Sequence, residues 1–266
     1  MTAFLVYVAC GLVAGILAGL LGVGGGLVLV PMLVFVFSWQ GVPAEHIQLM
    51  ALGTSLASII ITSIASFRAH DKRGAVRWDI WRVIAPGILI GTFGGGFLAA
   101  ALPMAPLRAF FICFVYCVAF QMLLELKPKA SRHLPGPLGM NGAGGAIGVV
   151  SSLVGIGGGS LSVPFMTYCN VPMHMAVGTS AAIGFPIAVA GTLSYILNGL
   201  PVSNLPPYSL GYVSLIALAG IAAASYFTAP LGAKLAHSLP VSKLKRFFAV
   251  YLFCIATRML WTILSA

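Results

Sequence analysis

A glycine cluster set inside an apolar stretch occurs twice in this chain. Leu20-Leu21-Gly22-Val23-Gly24-Gly25-Gly26, closed by Val30-Pro31, returns as Leu153-Val154-Gly155-Ile156-Gly157-Gly158-Gly159, closed by Val163-Pro164, at a constant offset of 133 (155 minus 22, 164 minus 31). Each glycine costs a helix about 1 kcal/mol relative to alanine, so three in succession speak against a continuous helix through either cluster. The pattern calls for a chain break at the same place in two related units.

The residues around the breaks decide which solvent the fold faces. Of 266 residues, 60% are hydrophobic and 7% charged, too few polar groups to clothe a surface in water. Apolar runs of about 20 residues, enough for a helix to cross roughly 30 Å of hydrocarbon, recur from end to end. The chain reads as an all-α polytopic membrane protein with spans at 46–67, 80–101, 105–126, 174–198, 208–233 and 244–265. The glycine clusters lie in two further apolar stretches, 3–39 and 139–170, and no region is left for a soluble domain. Met1-Thr2-Ala3-Phe4 has no basic residue ahead of its apolar run, which argues against a cleaved signal peptide. The five cysteines, Cys10, Cys113, Cys117, Cys169 and Cys254, have neither CxxC spacing nor a histidine at ligand spacing. They read as small hydrophobes, and no metal or other cofactor is expected.

A net charge of +10 would suggest nucleic acid for a soluble protein. Here most of the basic residues fall between spans or at their ends and report orientation instead. Arg68, Lys72, Arg73, Arg77 and Arg82 border one junction, Lys127, Lys129 and Arg132 a second, and Lys234, Lys243, Lys245 and Arg246 a third, whereas 38–45 and 198–207 contain no Lys or Arg. The positive-inside rule makes those three junctions cytoplasmic.

The repeat extends past the glycines. Gly11 and Gly15 map onto Gly144 and Gly148, and Val42-Pro43 recurs as Val171-Pro172. Ala51-Leu52-Gly53-Thr54-Ser55 recurs as Ala176-Val177-Gly178-Thr179-Ser180, and Leu102-Pro103 with Leu107-Arg108-Ala109-Phe110 as Leu239-Pro240 with Leu244-Lys245-Arg246-Phe247. Two repeats follow, 1–126 and 139–266, joined by a cytoplasmic linker at 127–138 that holds Pro135, Gly136 and Pro137. In the first repeat the junction after the Gly-Thr-Ser span is basic and the next nearly uncharged; in the second the order is reversed. The halves therefore face opposite ways, so each crosses the membrane an odd number of times. The stretch 3–39 would reach about 55 Å as one helix, too long for one span and short for two. Each half is read as a broken, re-entrant helical hairpin plus three transmembrane helices, with both chain termini outside. Inverted repeats with discontinuous helices are a plan of secondary transporters, whose substrate sits where the breaks meet.

The motifs fit an anion. A glycine tip that opens a short helix leaves backbone NH groups without partners at the positive end of the helix dipole. Gly24, Gly25 and Gly26, and Gly157, Gly158 and Gly159, are the candidate substrate-binding tips, with Gly22, Pro31, Gly155 and Pro164 shaping the hairpins. Leu27 to Ser38 and Ser160 to Cys169 are the short helices expected. Pro31 and Pro164 lack an NH and each frees a carbonyl four residues back. Thr54, Ser55, Thr179 and Ser180 lie roughly 8–14 Å deep from opposite faces, so four hydroxyls and two tips are expected around one small oxyanion. Ser160 and Ser162 add hydroxyls in the second hairpin where the first has Leu27 and Leu29. Without the repeat, each hydroxyl would read as bonded within its own helix bundle, and the glycine series at 11, 15 and 19 and at 87, 91 and 95 as surfaces for close helix approach.

His46 and His174, near the starts of the Gly-Thr-Ser spans, are candidates for gating or proton coupling, against an interfacial polar role. The acids are four, Glu45, Asp71, Asp79 and Glu125, none in mid-span. A buried carboxylate relay, a cation site and an acid–base catalytic pair are therefore not expected.

The paired GxGGG hairpins, the Gly-Thr-Ser element after each and the Leu-Pro junctions together resemble the sulfite exporter TauE/SafE family of membrane permeases, over essentially the whole chain. The resemblance implies transport of a small sulfur-containing anion such as sulfite or an organosulfonate, usually outward, with thiosulfate import in some relatives. Export by alternating access is the expected function, in a bacterial plasma membrane, with the anion and membrane lipid as partners and no nucleic acid. An anion channel or a thiosulfate-type importer of the same architecture stands as the alternative, and a membrane-embedded enzyme would have only the cysteines to work with.

Overall fold

Ten helices account for nearly all of the described chain. A computed structural model describes residues 2–21, 25–124, 133–238 and 241–264. Gly22, Val23 and Gly24, residues 127–132 of the linker and the Leu239-Pro240 junction lie outside the described residues. The first hairpin is α1 (Thr2–Leu21) and α2 (Gly26–Trp39), followed by α3 (Ala44–Asp71), α4 (Trp78–Ala101) and α5 (Met104–Leu123). The second is α6 (Pro137–Val154) and α7 (Gly159–Tyr168), followed by α8 (Met173–Gly199), α9 (Leu215–Ser238) and α10 (Val241–Leu264). Among the described residues α3, α4, α5 and α8 are long and apolar enough to cross a membrane. At 1.5 Å per residue the ten residues of α7 reach about 15 Å, half the hydrocarbon thickness.

One boundary departs from the apolar pattern. The run from 208 predicts a span over 208–233, but residues 209–214 form a small antiparallel hairpin, β1 (Ser209–Leu210) paired with β2 (Val213–Ser214), and α9 begins only at Leu215. Pro206 and Pro207 cannot continue a ladder of helical NH bonds, and Tyr208 and Gly211 take the left-handed conformation (φ 61° and 55°), which ends any helix through this stretch.

The breaks in the hairpins fall on equivalent glycines. Gly25 caps α2 at φ 72° and Gly158 caps α7 at φ 76°, a left-handed geometry that glycine adopts without a Cβ penalty. The repeated sequence thus opens α2 and α7 with the same left-handed glycine.

Packing follows the repeat as well. The first helix of each hairpin lies along the fourth helix of the other half: α1 packs on α9, and α6 on α4. Both pairs run parallel and use small residues. A Cβ on Gly11 would stand 2.7 Å from the Ile221 carbonyl, and on Gly15 2.8 Å from Ser225 Cα; Gly87 abuts Asn141, Gly91 abuts Gly145, and a Cβ on Gly95 would stand 2.9 Å from Val149 Cα. The equivalent helices α3 and α8 cross at the centre in antiparallel sense: Gly53 packs on Tyr195, Gly191 on Leu56 and Gly184 on Ser63, while the rings of Phe67 and Phe185 meet edge-on.

Candidate functional site

The site is built where the hairpin tips reach the α3–α8 crossing. Gly26, the first residue of α2, abuts the Gly155 carbonyl, and a Cβ there would stand 3.0 Å from Ile156 Cα, so the two tips touch. Gly155 is itself left-handed (φ 71°) and ends α6, with Leu52 of α3 and Val30 of α2 packed against it. Gly157 faces Ile59 of α3 and Gly184 of α8, and Gly158 faces Ile187 of α8 and Ile147 of α6. Apolar side chains therefore surround a polar backbone turn.

The Gly-Thr-Ser motifs divide their labour. Gly53 lets the Tyr212 carbonyl approach, and the next residue, Thr54, accepts the Ser214 NH at 3.0 Å. Gly178 lets the Ala75 carbonyl approach, and Thr179 accepts the Arg77 NH at 2.9 Å. In both cases glycine and threonine clasp the turn that enters the fourth helix of the opposite half, and the turn's carbonyl and NH come two residues apart. The serines reach the second hairpin instead. Ser55 donates to the Gly155 carbonyl at 2.8 Å. Ser162 donates to the Gly158 carbonyl at 2.8 Å, which leaves Ser180 as the donor in the 2.7 Å Ser162–Ser180 pair.

Donors remain at the start of α7. The Leu161 and Ser162 NH groups bond to Gly158, and those of Gly155 and Ile156 to Ser151. Among the described residues, the NH groups of Gly157, Gly158, Gly159 and Ser160 have no backbone partner, and the hydroxyls of Ser160 and Ser151 are buried without one. Ser151 is wholly buried, and its Oγ lies 3.6 Å from where a Cβ on Gly158 would stand. Such a concave run of NH groups at a helix N-terminus is an anion cradle. On the first hairpin Leu27 and Leu29 are buried apolar residues at the positions of Ser160 and Ser162.

Pro31 and Pro164 lie inside α2 and α7 as the sequence places them. His46 is mostly buried beside Glu45 (3.4 Å) and the Tyr212 ring, whereas His174 is exposed at the start of α8. Neither meets a hairpin tip in any bond or ring contact of the described residues. Among those residues no carboxylate lies in mid-helix, no cluster fits a metal ion, and Asp79 pairs with Arg77 at 2.6 Å beside the basic turn. That pairing raises the Arg77 pKa above its ordinary value. Away from the tips, a cavity of about 470 Å³ opens near the uncharged loops, lined by Tyr7, Phe37, Gln40, Met50, Tyr208 and Ser214.

Sequence reasoning missed Ser151 and Thr92, wholly buried residues whose hydroxyls have no partner among the described residues. For Ser151 a signal existed: the repeat offset pairs it with Ala18, the same kind of polar-for-apolar exchange that marked Ser160.

Comparison with known proteins matches this chain to membrane transporter proteins over almost its full length. The chain is 40% identical over 259 residues to a probable membrane transporter protein of Haemophilus influenzae, covering 97% of this chain and 98% of that one. It is 28% identical to a probable membrane transporter protein of Methanocaldococcus jannaschii (88% and 87% covered) and 28% identical to one of Bacillus subtilis (74% and 79% covered). No solved structure matches. The model of the family described as sulfite exporter TauE/SafE matches residues 7–259, and the chain belongs to that family.

Proposed function

We propose that the protein is a secondary transporter of the bacterial plasma membrane that exports a small sulfur-containing anion, sulfite or an organosulfonate, by alternating access around the tip of the second hairpin. The observation that carries this reading is the set of donors at the start of α7 without a partner among the described residues: the NH groups of Gly157 to Ser160 with the Ser151 and Ser160 hydroxyls. Each buried donor left unpaired costs about 1–3 kcal/mol, and irregular backbone at membrane depth persists where it lines a cavity or site. An anion stripped of water needs donors and no carboxylate; a transported cation would need the reverse.

In this reading Gly157, Gly158, Gly159 and Ser160 bind the anion, Ser162, Ser180 and Ser55 hold the tip in place, and Thr54 and Thr179 tie each half to the other. Gly26 of the first tip seats the second. The halves form an inverted repeat with both termini outside, a reading supported by the antiparallel crossing of α3 and α8 and by the charge pattern. The cavity beside Gln40 and Tyr208 is then the outer vestibule. Expelling a negative charge from a cell that is negative inside gains about 2.3 kcal/mol per 100 mV, so efflux of an accumulated anion needs no coupled ion.

Thermal unfolding of the purified protein with sulfite, thiosulfate, sulfoacetate, taurine and sulfate tests the substrate class. Stabilisation by sulfite or sulfoacetate, reduced in Ser160→Ala, is expected. No shift with any of these compounds contradicts the reading.

A further inference from the structure

One buried hydroxyl on α4, that of the wholly buried Thr92, is left without a partner among the described residues. It stands against α6, with Oγ1 2.8 Å from where a Cβ on Gly148 would be. Gly148 and Ser151 are three residues apart and so share one face of α6. Gly148 also adjoins Ile147, whose side chain, like Ser151 Oγ, flanks Gly158. The free hydroxyls of Thr92 and Ser151 therefore lie along one helix face that leads to the start of α7.

The repeat supplies an internal control. Gly15 is the counterpart of Gly148, and it too packs against a threonine hydroxyl, that of Thr228 on α9. Thr228 donates to the Ala224 carbonyl at 3.0 Å, the ordinary bond of a threonine to the preceding helical turn. Ser225 beside it donates to Ala222 at 3.4 Å, and the counterpart of Ser151 is Ala18. Among the described residues Thr228 and Ser225 at the α1–α9 contact are both satisfied, whereas at the α4–α6 contact Ser152 bonds Val149 and Thr92 and Ser151 stay open, on the side of the hairpin that carries Ser160. Packing alone accounts for the Thr228 arrangement and not for that of Thr92.

We infer that Thr92 and Ser151 donate hydrogen bonds to the transported oxyanion, and that Thr92 supplies the first half's ligand to a site otherwise built from the second. The inference rests on the proposed transport function and assigns two further ligands to its site. It has a mechanical consequence. An anion held at once by α4 and by the tip of α7 bridges the two halves, so binding and release change how they are tied together, which is what alternating access requires.

The test compares Thr92→Val, Thr92→Ser, Ser151→Ala and Thr228→Val in proteoliposomes, with labelled sulfite as the probe, and in thermal unfolding without ligand. Thr92→Val removes the hydroxyl at nearly constant shape. Loss of a donor to a charged ligand should raise KM roughly tenfold, with Thr92→Ser close to the parent. Because the hydroxyl bonds nothing among the described residues, Thr92→Val should keep or raise the unfolding temperature, whereas Thr228→Val should leave KM unchanged. A KM for Thr92→Val within about twofold of the parent, or an equal rise in Thr228→Val, overturns the inference while the transport function stands. A lower unfolding temperature for Thr92→Val also overturns it, since the hydroxyl would then be structural. If the parent moves no sulfite or sulfonate above empty liposomes, the transport reading fails first and this inference with it.

Discussion

The hydroxyl of Thr179 on α8 accepts the backbone NH of Arg77, 102 positions earlier, at 2.9 Å. Its counterpart, Thr54, does the same for Ser214. These two bonds close the turns that start α4 and α9 and fix each to the opposite half. Thr54→Val strands the buried Ser214 NH and Thr179→Val the half-buried Arg77 NH, each at up to about 1–3 kcal/mol. Both variants should unfold at lower temperature, by similar amounts, with Thr→Ser at either position close to the parent. A drop in only one of the two would show that the repeat does not share this bond.

Adjacent glycines on α4 should respond with opposite sign. Gly95 faces α6, with Val149 Cα 2.9 Å from where its Cβ would be, whereas Gly94 has nothing within 4 Å. Gly95→Ala forces the helices apart, costing about 1–3 kcal/mol. Gly94→Ala gains up to about 1 kcal/mol of helix propensity. Unfolding temperatures in one detergent check both, and equal effects would mean that α4 presents another face to α6.

Much of this was legible in the sequence, and the limits are physical. The helix breaks were readable because three glycines in an apolar run have few other uses, and Gly25 and Gly158 do take the same left-handed conformation. The glycines at 11, 15, 87, 91 and 95 read as contact surfaces and are so used. The start of α9 was misplaced because hydropathy does not distinguish a buried turn from a helix. The roles of Thr54 and Thr179 were hidden because their partners are backbone groups 160 and 102 positions away, and no spacing rule links a hydroxyl to a distant NH. Thr92 was invisible for the same reason: its significance is a bond that it does not make.

Orientation is open to chemical labelling in a cysteine-free background. Gln40→Cys and Ser203→Cys, both exposed positions, should react with an impermeant maleimide from outside intact cells. Lys72→Cys, exposed in the basic turn after α3, should react only after the membrane is opened. Reaction of Gln40→Cys and Ser203→Cys from opposite sides would contradict the inverted repeat.

The driving force has an electrical signature. Efflux of a monovalent anion from loaded proteoliposomes should accelerate when the interior is made negative, since each 100 mV contributes about 2.3 kcal/mol per charge. Flux that ignores the potential but follows a pH gradient would assign the work to proton coupling, with His46 and His174 as the residues to substitute next.

Counterflow tests the central claim most directly. Proteoliposomes loaded with unlabelled sulfite and diluted into trace labelled sulfite should accumulate label transiently above equilibrium, with saturable rates that fall in Ser160→Ala. Entry without overshoot, at rates proportional to concentration, would make the protein a channel. No entry of sulfite or of any sulfonate above empty liposomes would contradict an anion site at the tip of α7.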